Sequence, residues 1–291
     1  GPRAVVGATR HGGRAWSRRR MRRALGDCTL LVHPVIATEV AANRHDGGVR
    51  HDVSFSPLLG MGGLPAASEE TLVARDVILA RVTGAHVHIA HVSTAGAVDS
   101  VRSARAAGVH VTCEVTPHHI ALGDESVQSF STNLKMNPPL RSKEHREALL
   151  AGIADGTIDA IATDHAPHHF DEKNVEFDLA PFGVIGLESA FPICYEHLVR
   201  AKVIEIDRLI DLMSCGPARI FNLPGGTLRN GTPGDVTLLD LDAEVTFKAP
   251  FQSKASNSAF IGQTLRGRAV TTIVGGVIRY DIRRAKRKTN R

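Results

Sequence analysis

Residues 86–119, HVHIAHVSTAGAVDSVRSARAAGVHVTCEVTPHH, carry one pattern twice. An apolar run, His86–Val92, leads into the polar cluster His91-Val92-Ser93-Thr94. A helix is predicted from Ala95 to Ala107, closed by Gly108. A second run, Val109–Val115, then leads into Thr116-Pro117-His118-His119. Such short, apolar strands suit burial on both faces, and their alternation with helices argues for a parallel sheet. Toward the C-terminus the pattern continues with a helix over Lys143–Ala154, stopping near Gly156. A strand over Ile158–Thr163 follows, ending in Asp164-His165-Ala166-Pro167-His168-His169. Toward the N-terminus, Ala66–Thr83 has Leu72, Val73, Val77, Ile78 and Val82 at helical spacing and stops at Gly84. Thr29–Val32 is a further apolar run, ending at His33. Ala190–Ala201 and Ile206–Ser214 read as later helices.

The last part has a different texture. Asp235–Leu241, Glu244–Phe247, Ala269–Val274 and Val277–Tyr280 are closely spaced strands, and Gly275-Gly276 is a hairpin signal. The expected organisation is a basic, unpatterned segment over 1–28, a barrel portion over 29–225, a small β domain over 226–282 and a basic tail over 283–291. The fold class is therefore α/β, part of a TIM-type (β/α)8 barrel with a small C-terminal β domain.

Composition narrows the function. Of 291 residues, 43% are hydrophobic, enough for a sizeable core and too many for a disordered chain. No apolar run approaches the ~20 residues that cross a bilayer, and the N-terminus lacks the apolar stretch of a signal peptide. Cys28, Cys113, Cys194 and Cys215 form no CxxC pair, which fits a reducing cytoplasm. The net charge of +5 is concentrated in Arg18–Arg23 and in the tail, where it reads as solvated ends. With one Trp and two Tyr, stacking platforms for nucleic acid are few. There is no dinucleotide loop, no phosphate-binding GxxxxGK[ST] and no GxSxG elbow. Fifteen histidines are the unusual number, and they direct attention to metal binding.

The histidines and Asp164 fall where strands end. In (β/α)8 barrels the carboxyl ends of the strands form the active face. Imidazoles meeting a carboxylate there suit a divalent cation that activates water. A strand-terminal histidine taken alone is more often a hydrogen-bonded structural residue. The joint pattern carries the weight, because several ionisable groups buried together need compensation.

These residues also resemble a known family. IAHVSTAGAV (89–98), VTCEVTPHHIAL (111–122), KMNPPLR (135–141), DGTIDAIATDHAPH (155–168), APFGVIGLESA (180–190) and FIGQTLRGRAVTTIVGGVI (260–278) are similar to segments of class I dihydroorotase, of the amidohydrolase superfamily. The likeness runs from about Gly47 to about Tyr280. It implies a distorted (β/α)8 barrel with two zinc ions, reversibly interconverting dihydroorotate and N-carbamoyl-L-aspartate in pyrimidine synthesis. By the same resemblance His91 is a ligand of the second zinc, and Asp164 is a ligand of the first and the acid/base. Asn137, His168, Phe182 and Gly183 match substrate-binding positions.

The sequence departs from the family at its front. No His-x-His-x-x-Arg lies near the N-terminus, and Arg10-His11-Gly12 stands where the family has the metal-bridging Asp. An ungapped count for the next ligand lands on Thr38, whereas a small shift brings His33 into that place. The chain is thus expected to begin after the first barrel strands, which leaves an open edge that a homo-oligomer would cover. Two alternatives stand beside the dihydroorotase reading: a non-catalytic scaffold partner of aspartate transcarbamoylase, and an amidase for hydantoin or allantoin.

Overall fold

The computed structural model describes residues 5–6, 30–32 and 63–283. Five parallel strands form one sheet in chain order: β1 (Val5–Val6), β2 (Leu30–Val32), β3 (Val87–Ile89), β4 (Val111–Val115) and β5 (Ala160–Ile161). The strands are shorter than their apolar runs. β3 ends beside His91, whose φ is 54°, and β5 ends before Asp164, whose φ is 45°. The segment expected to lie outside the barrel nonetheless contributes β1, two consecutive β-branched residues paired with Leu30 and Leu31.

The connecting helices fall where the sequence places them, although Ile78 and Val82, two of the five apolar positions spaced along 66–83, are exposed while Leu72 and Val73 are buried. α1 (Ala66–Thr83) closes at Gly84, left-handed at φ 72°, whose N–H donates to the Ala80 carbonyl. α2 (Ala95–Ala106) is capped by Thr94, which accepts from the Ala97 N–H. α3 (Pro117–Ala121) begins where a polar strand end was expected, with Thr116 as its cap. α4 is Lys143–Ala154, and the short α5 is Phe170–Lys173. α6 (Ala190–Cys194) runs on as a π-helical turn to Arg200. α7 (Ile206–Ile210) does the same to Cys215 and meets α8 (Gly216–Ile220). Val87, Ile89, Val111, Cys113 and Val115 from the strands pack against Val98, Val101, Leu149 and Ile153 from the helices in one buried cluster.

The C-terminal sheet is antiparallel: β6 (Val236–Thr246), β7 (Thr264–Val274) and β8 (Val277–Asp281). The two strands expected over 235–247 are one strand, irregular between Asp240 and Glu244. There the Asp240 carboxylate accepts from the Asp242 and Ala243 N–H groups. Gly275 and Gly276 both have positive φ, as a tight hairpin requires. No helix among the described residues is long and apolar enough to cross a membrane.

Candidate metal centre

Strand alternation places His88 on one face of β3, with His86 just before the strand in phase with it, and would turn residue 91 to the other. The left-handed backbone at His91 breaks that period, and His91 reaches the same carboxylate as His88. That carboxylate is Glu114 on β4. His88 Nε2 donates to Glu114 Oε2 at 3.1 Å, and His91 Nδ1 lies 2.9 Å from Glu114 Oε1. On its far side His91 Nε2 stands 3.6 Å from Asp164 Oδ1. Asp164 has reached that point on a left-handed backbone of its own. Two non-glycine residues held in this region, facing one another at strand ends, mark strain of the kind that functional sites retain.

The electrostatics follow from the contacts. Burial pushes the Glu114 carboxyl up, but the hydrogen bonds from His88 and His91 outweigh it and hold Glu114 down at about 2. Burial lowers His91, and the Glu114 contact with the charges of Glu114 and Asp164 reverses this, leaving it raised. Both effects favour charge inside a nearly closed site.

An imidazole nitrogen facing a carboxylate oxygen at 3.6 Å is beyond hydrogen-bond reach, yet the gap is one that two ligands of a single cation, each ~2.0–2.2 Å from it, can span. The pair therefore fits a divalent cation in donor chemistry. It supplies two donors. Among the described residues no group of three or more His, Cys, Asp or Glu side chains is placed to hold a metal ion. His33, expected as a ligand, lies outside the described residues, one position beyond the end of β2.

Behind His91 the chain is pinned by a second carboxylate. Glu69 on α1 is fully buried and accepts from the Ser93 and Thr94 N–H groups at 2.8 and 3.2 Å and from the Ser93 hydroxyl. Arg141, also buried, lies 3.5 Å from it and donates to Ser93 Oγ and the Leu64 carbonyl. The His91 loop, α1 and the NPPLR segment are thus joined through one network.

The expected substrate-binding residues come together on a neighbouring wall. The Gly183 N–H donates to the Lys135 carbonyl, and the Lys135 ammonium sits 4.8 Å from the Phe182 ring centre. This brings 182–183 beside Lys135, two residues before Asn137 in the chain. His168 Nε2 lies 2.8 Å from the Phe182 carbonyl. Asn257 ties the wall to Asp164's loop. Its amide donates to the Ala166 and Gly183 carbonyls, and its oxygen accepts from the His168 N–H. Asn137 Oδ1 is buried and has no hydrogen-bond partner, an acceptor left ready for a ligand.

Two other histidines of the strand-end clusters are held by hydrogen bonds within the fold. His119 is buried between Thr116 Oγ1 and the Pro138 carbonyl, and burial lowers its pKa to about 3. His165 Nδ1 accepts from the Gly186 N–H.

The sequence model of the amidohydrolase family matches residues 67–279. The chain belongs to that family. It is 49% identical over 257 residues to the dihydroorotase of Pelotomaculum thermopropionicum, covering 88% of this chain and 60% of that protein. With the Bacillus subtilis dihydroorotase it shares 48% over 236 residues, 81% of this chain and 55% of the other. The chain thus spans about 60% of the length of the curated relatives it matches. The L-hydantoinase (dihydropyrimidinase) structure from Arthrobacter aurescens superposes with a TM-score of 0.78 at 23% identity, over 95% of this chain and 63% of that one. The dihydropyrimidinase of Brevibacillus agri NCHU1002 gives 0.75 at 20%, over 87% and 57%. The amidohydrolase fold is common to all of them.

Within this amidohydrolase chain, four residues of the site escaped sequence reasoning. Glu114 left a signal, a lone carboxylate in an otherwise apolar strand. Arg141 closes the quoted KMNPPLR segment without its contacts being legible there, and Glu69 and Asn257 left no signal, because a polar side chain on a helix or in a loop looks solvated until its partner is known.

Proposed function

We propose that the chain acts as a dihydroorotase-type cyclic amidohydrolase, interconverting dihydroorotate and N-carbamoyl-L-aspartate. The carrying observation is the His91–Asp164 pair: two metal-donor side chains 3.6 Å apart at strand ends, both on left-handed backbone. The likeness at 48–49% identity to proteins named dihydroorotase favours this ring over a hydantoin or allantoin, since the hydantoinase structures share 20–23%.

The amidohydrolase family is generally metal-dependent, and zinc is the ion proposed here. His91 and Asp164 would hold it, with His33 as a further ligand. When bound, such a cation supplies hydroxide at neutral pH and polarises the amide carbonyl. Asp164 takes the proton of the attacking water and passes it to the departing ring nitrogen. Asn137 Oδ1 accepts from a ring N–H, while His168, Phe182 and Gly183 shape the wall that orients the ring. The working unit is proposed as a barrel portion over 29–225 with a β domain over 226–282, cytoplasmic, and either a homo-oligomer or a partner of aspartate transcarbamoylase.

A second reading, a non-catalytic dihydroorotase-like scaffold, draws support from the two converging donors among the described residues. Metal analysis after dialysis against zinc, with turnover measured in both directions, decides between them. Bound zinc with turnover of dihydroorotate sustains the enzyme. Absence of both leaves the scaffold, and faster hydrolysis of hydantoin replaces the substrate.

A further inference from the structure

We infer that Glu114 is the positioning residue of the metal centre: it fixes the ring orientation and tautomer of His91 so that Nε2 presents its lone pair toward Asp164. The inference deepens the reading of His91 as a metal ligand and rests on it.

Glu114 is buried, and each oxygen meets a different imidazole, Oε2 with His88 Nε2 at 3.1 Å and Oε1 with His91 Nδ1 at 2.9 Å. An ionised carboxylate only accepts, so the proton of His88 sits on Nε2; the 2.9 Å approach of His91 Nδ1 to Oε1, close but off the hydrogen-bond direction, favours the proton of His91 on Nδ1. The remaining contacts agree. His88 Nδ1, now an acceptor, lies 2.8 Å from the Thr112 hydroxyl, and that hydroxyl lies 2.9 Å from His86 Nε2. The direction of every bond from His86 through Thr112 and His88 to Glu114 is thereby set. Parallel pairing of His88 with Thr112 puts Glu114 two residues on, on the same face of the neighbouring strand, where it can bridge to His91 beyond the end of β3. The outcome at the far end is a lone pair on His91 Nε2 facing Asp164 Oδ1, two acceptors at 3.6 Å that attract each other only through a cation or a proton between them. Carboxylates that orient ligand imidazoles in this way change metal affinity on removal by about 10–100-fold.

The test uses ¹⁵N-histidine-labelled protein in its metal-free form at alkaline pH, with His91 assigned by loss of its signals in His91→Gln. Long-range ¹⁵N–¹H spectra are expected to show a single Nδ1–H tautomer for His91. Glu114→Gln keeps the shape but leaves one acceptor oxygen for two imidazoles. It is expected to melt cooperatively, to let His91 sample both tautomers and to weaken zinc binding, followed by calorimetry, about 10–100-fold. Thr112→Val interrupts the chain beyond His88 and should leave the His91 tautomer in place. An Nε2–H tautomer in the unmodified protein overturns the inference. So does a Glu114→Gln variant with unchanged His91 signals and unchanged zinc affinity, while the metal reading stands. Should the unmodified protein bind no zinc although Glu114→Gln still releases the tautomer, the metal reading fails and the positioning by Glu114 holds.

Discussion

Arg141 Nη2 lies 3.5 Å from Glu69 Oε2, with both side chains closed off from solvent. Removing two charges from water is costly, and their mutual attraction offsets this only while both partners remain. Breaking the pair at one end strands the other charge. Glu69→Leu or Arg141→Met alone should therefore destabilise by about 3–5 kcal/mol. The double variant Glu69→Leu with Arg141→Met should regain part of that loss. Urea denaturation of the three variants checks the non-additivity, and equal, additive losses would show that the two side chains act separately.

Asp164 offers a separation of chemistry from folding. At φ 45° an alanine keeps the backbone strain, whereas glycine relieves it. Asp164→Gly should be about 1 kcal/mol more stable than Asp164→Ala. Both should lose turnover of dihydroorotate, because neither can carry the proton. Retained turnover in either would remove Asp164 from its proposed role.

Acid should weaken the fold through histidines that are held neutral. Burial, helped by His110, His88 and Arg105, lowers His86 from 6.5 to about 4. Burial likewise brings His119 from 6.5 to about 3. With folded pKa values below the unfolded one, the unfolded chain binds more protons as pH falls. The stability from the neutral rings is thus present above 6.5 and is lost progressively below it, down to about 4 for His86 and about 3 for His119. Denaturation midpoints at about pH 7 and about pH 5 should differ in that direction, and His86→Gln should make the difference smaller. A midpoint that rises on acidification would contradict the neutral assignment.

Gly183 is needed for its missing side chain. At φ 113° a Cβ there would stand 2.5 Å from the Ala166 Cβ and 3.5 Å from His168 Nε2. Gly183→Ala should push 182–183 away from His168 and the Asp164 loop. Misplacement of about 1 Å near a reacting group costs about 10²-fold, so kcat/KM for dihydroorotate should fall by that order. The effect on the melting temperature should be small beside that of breaking the Glu69–Arg141 pair.

Much of this protein was legible as text. The repeat of apolar run, polar cluster and helix announced a parallel α/β sheet, because burial on both faces demands continuous apolar strands. Helix ends at Gly84 and the Gly275-Gly276 hairpin were equally plain, since only special backbone conformations close such elements. His91 and Asp164 stood out by their place at strand ends and by motif likeness. The tertiary structure alone decided which polar groups meet. Strand alternation puts residue 91 on the wrong face, and a single left-handed residue restores it to Glu114 and Asp164. Glu69 meets Arg141 across 72 positions of chain. Local spacing encodes which face a residue occupies within one element, while a site assembled from several strands depends on how far each backbone turns after its last ladder bond.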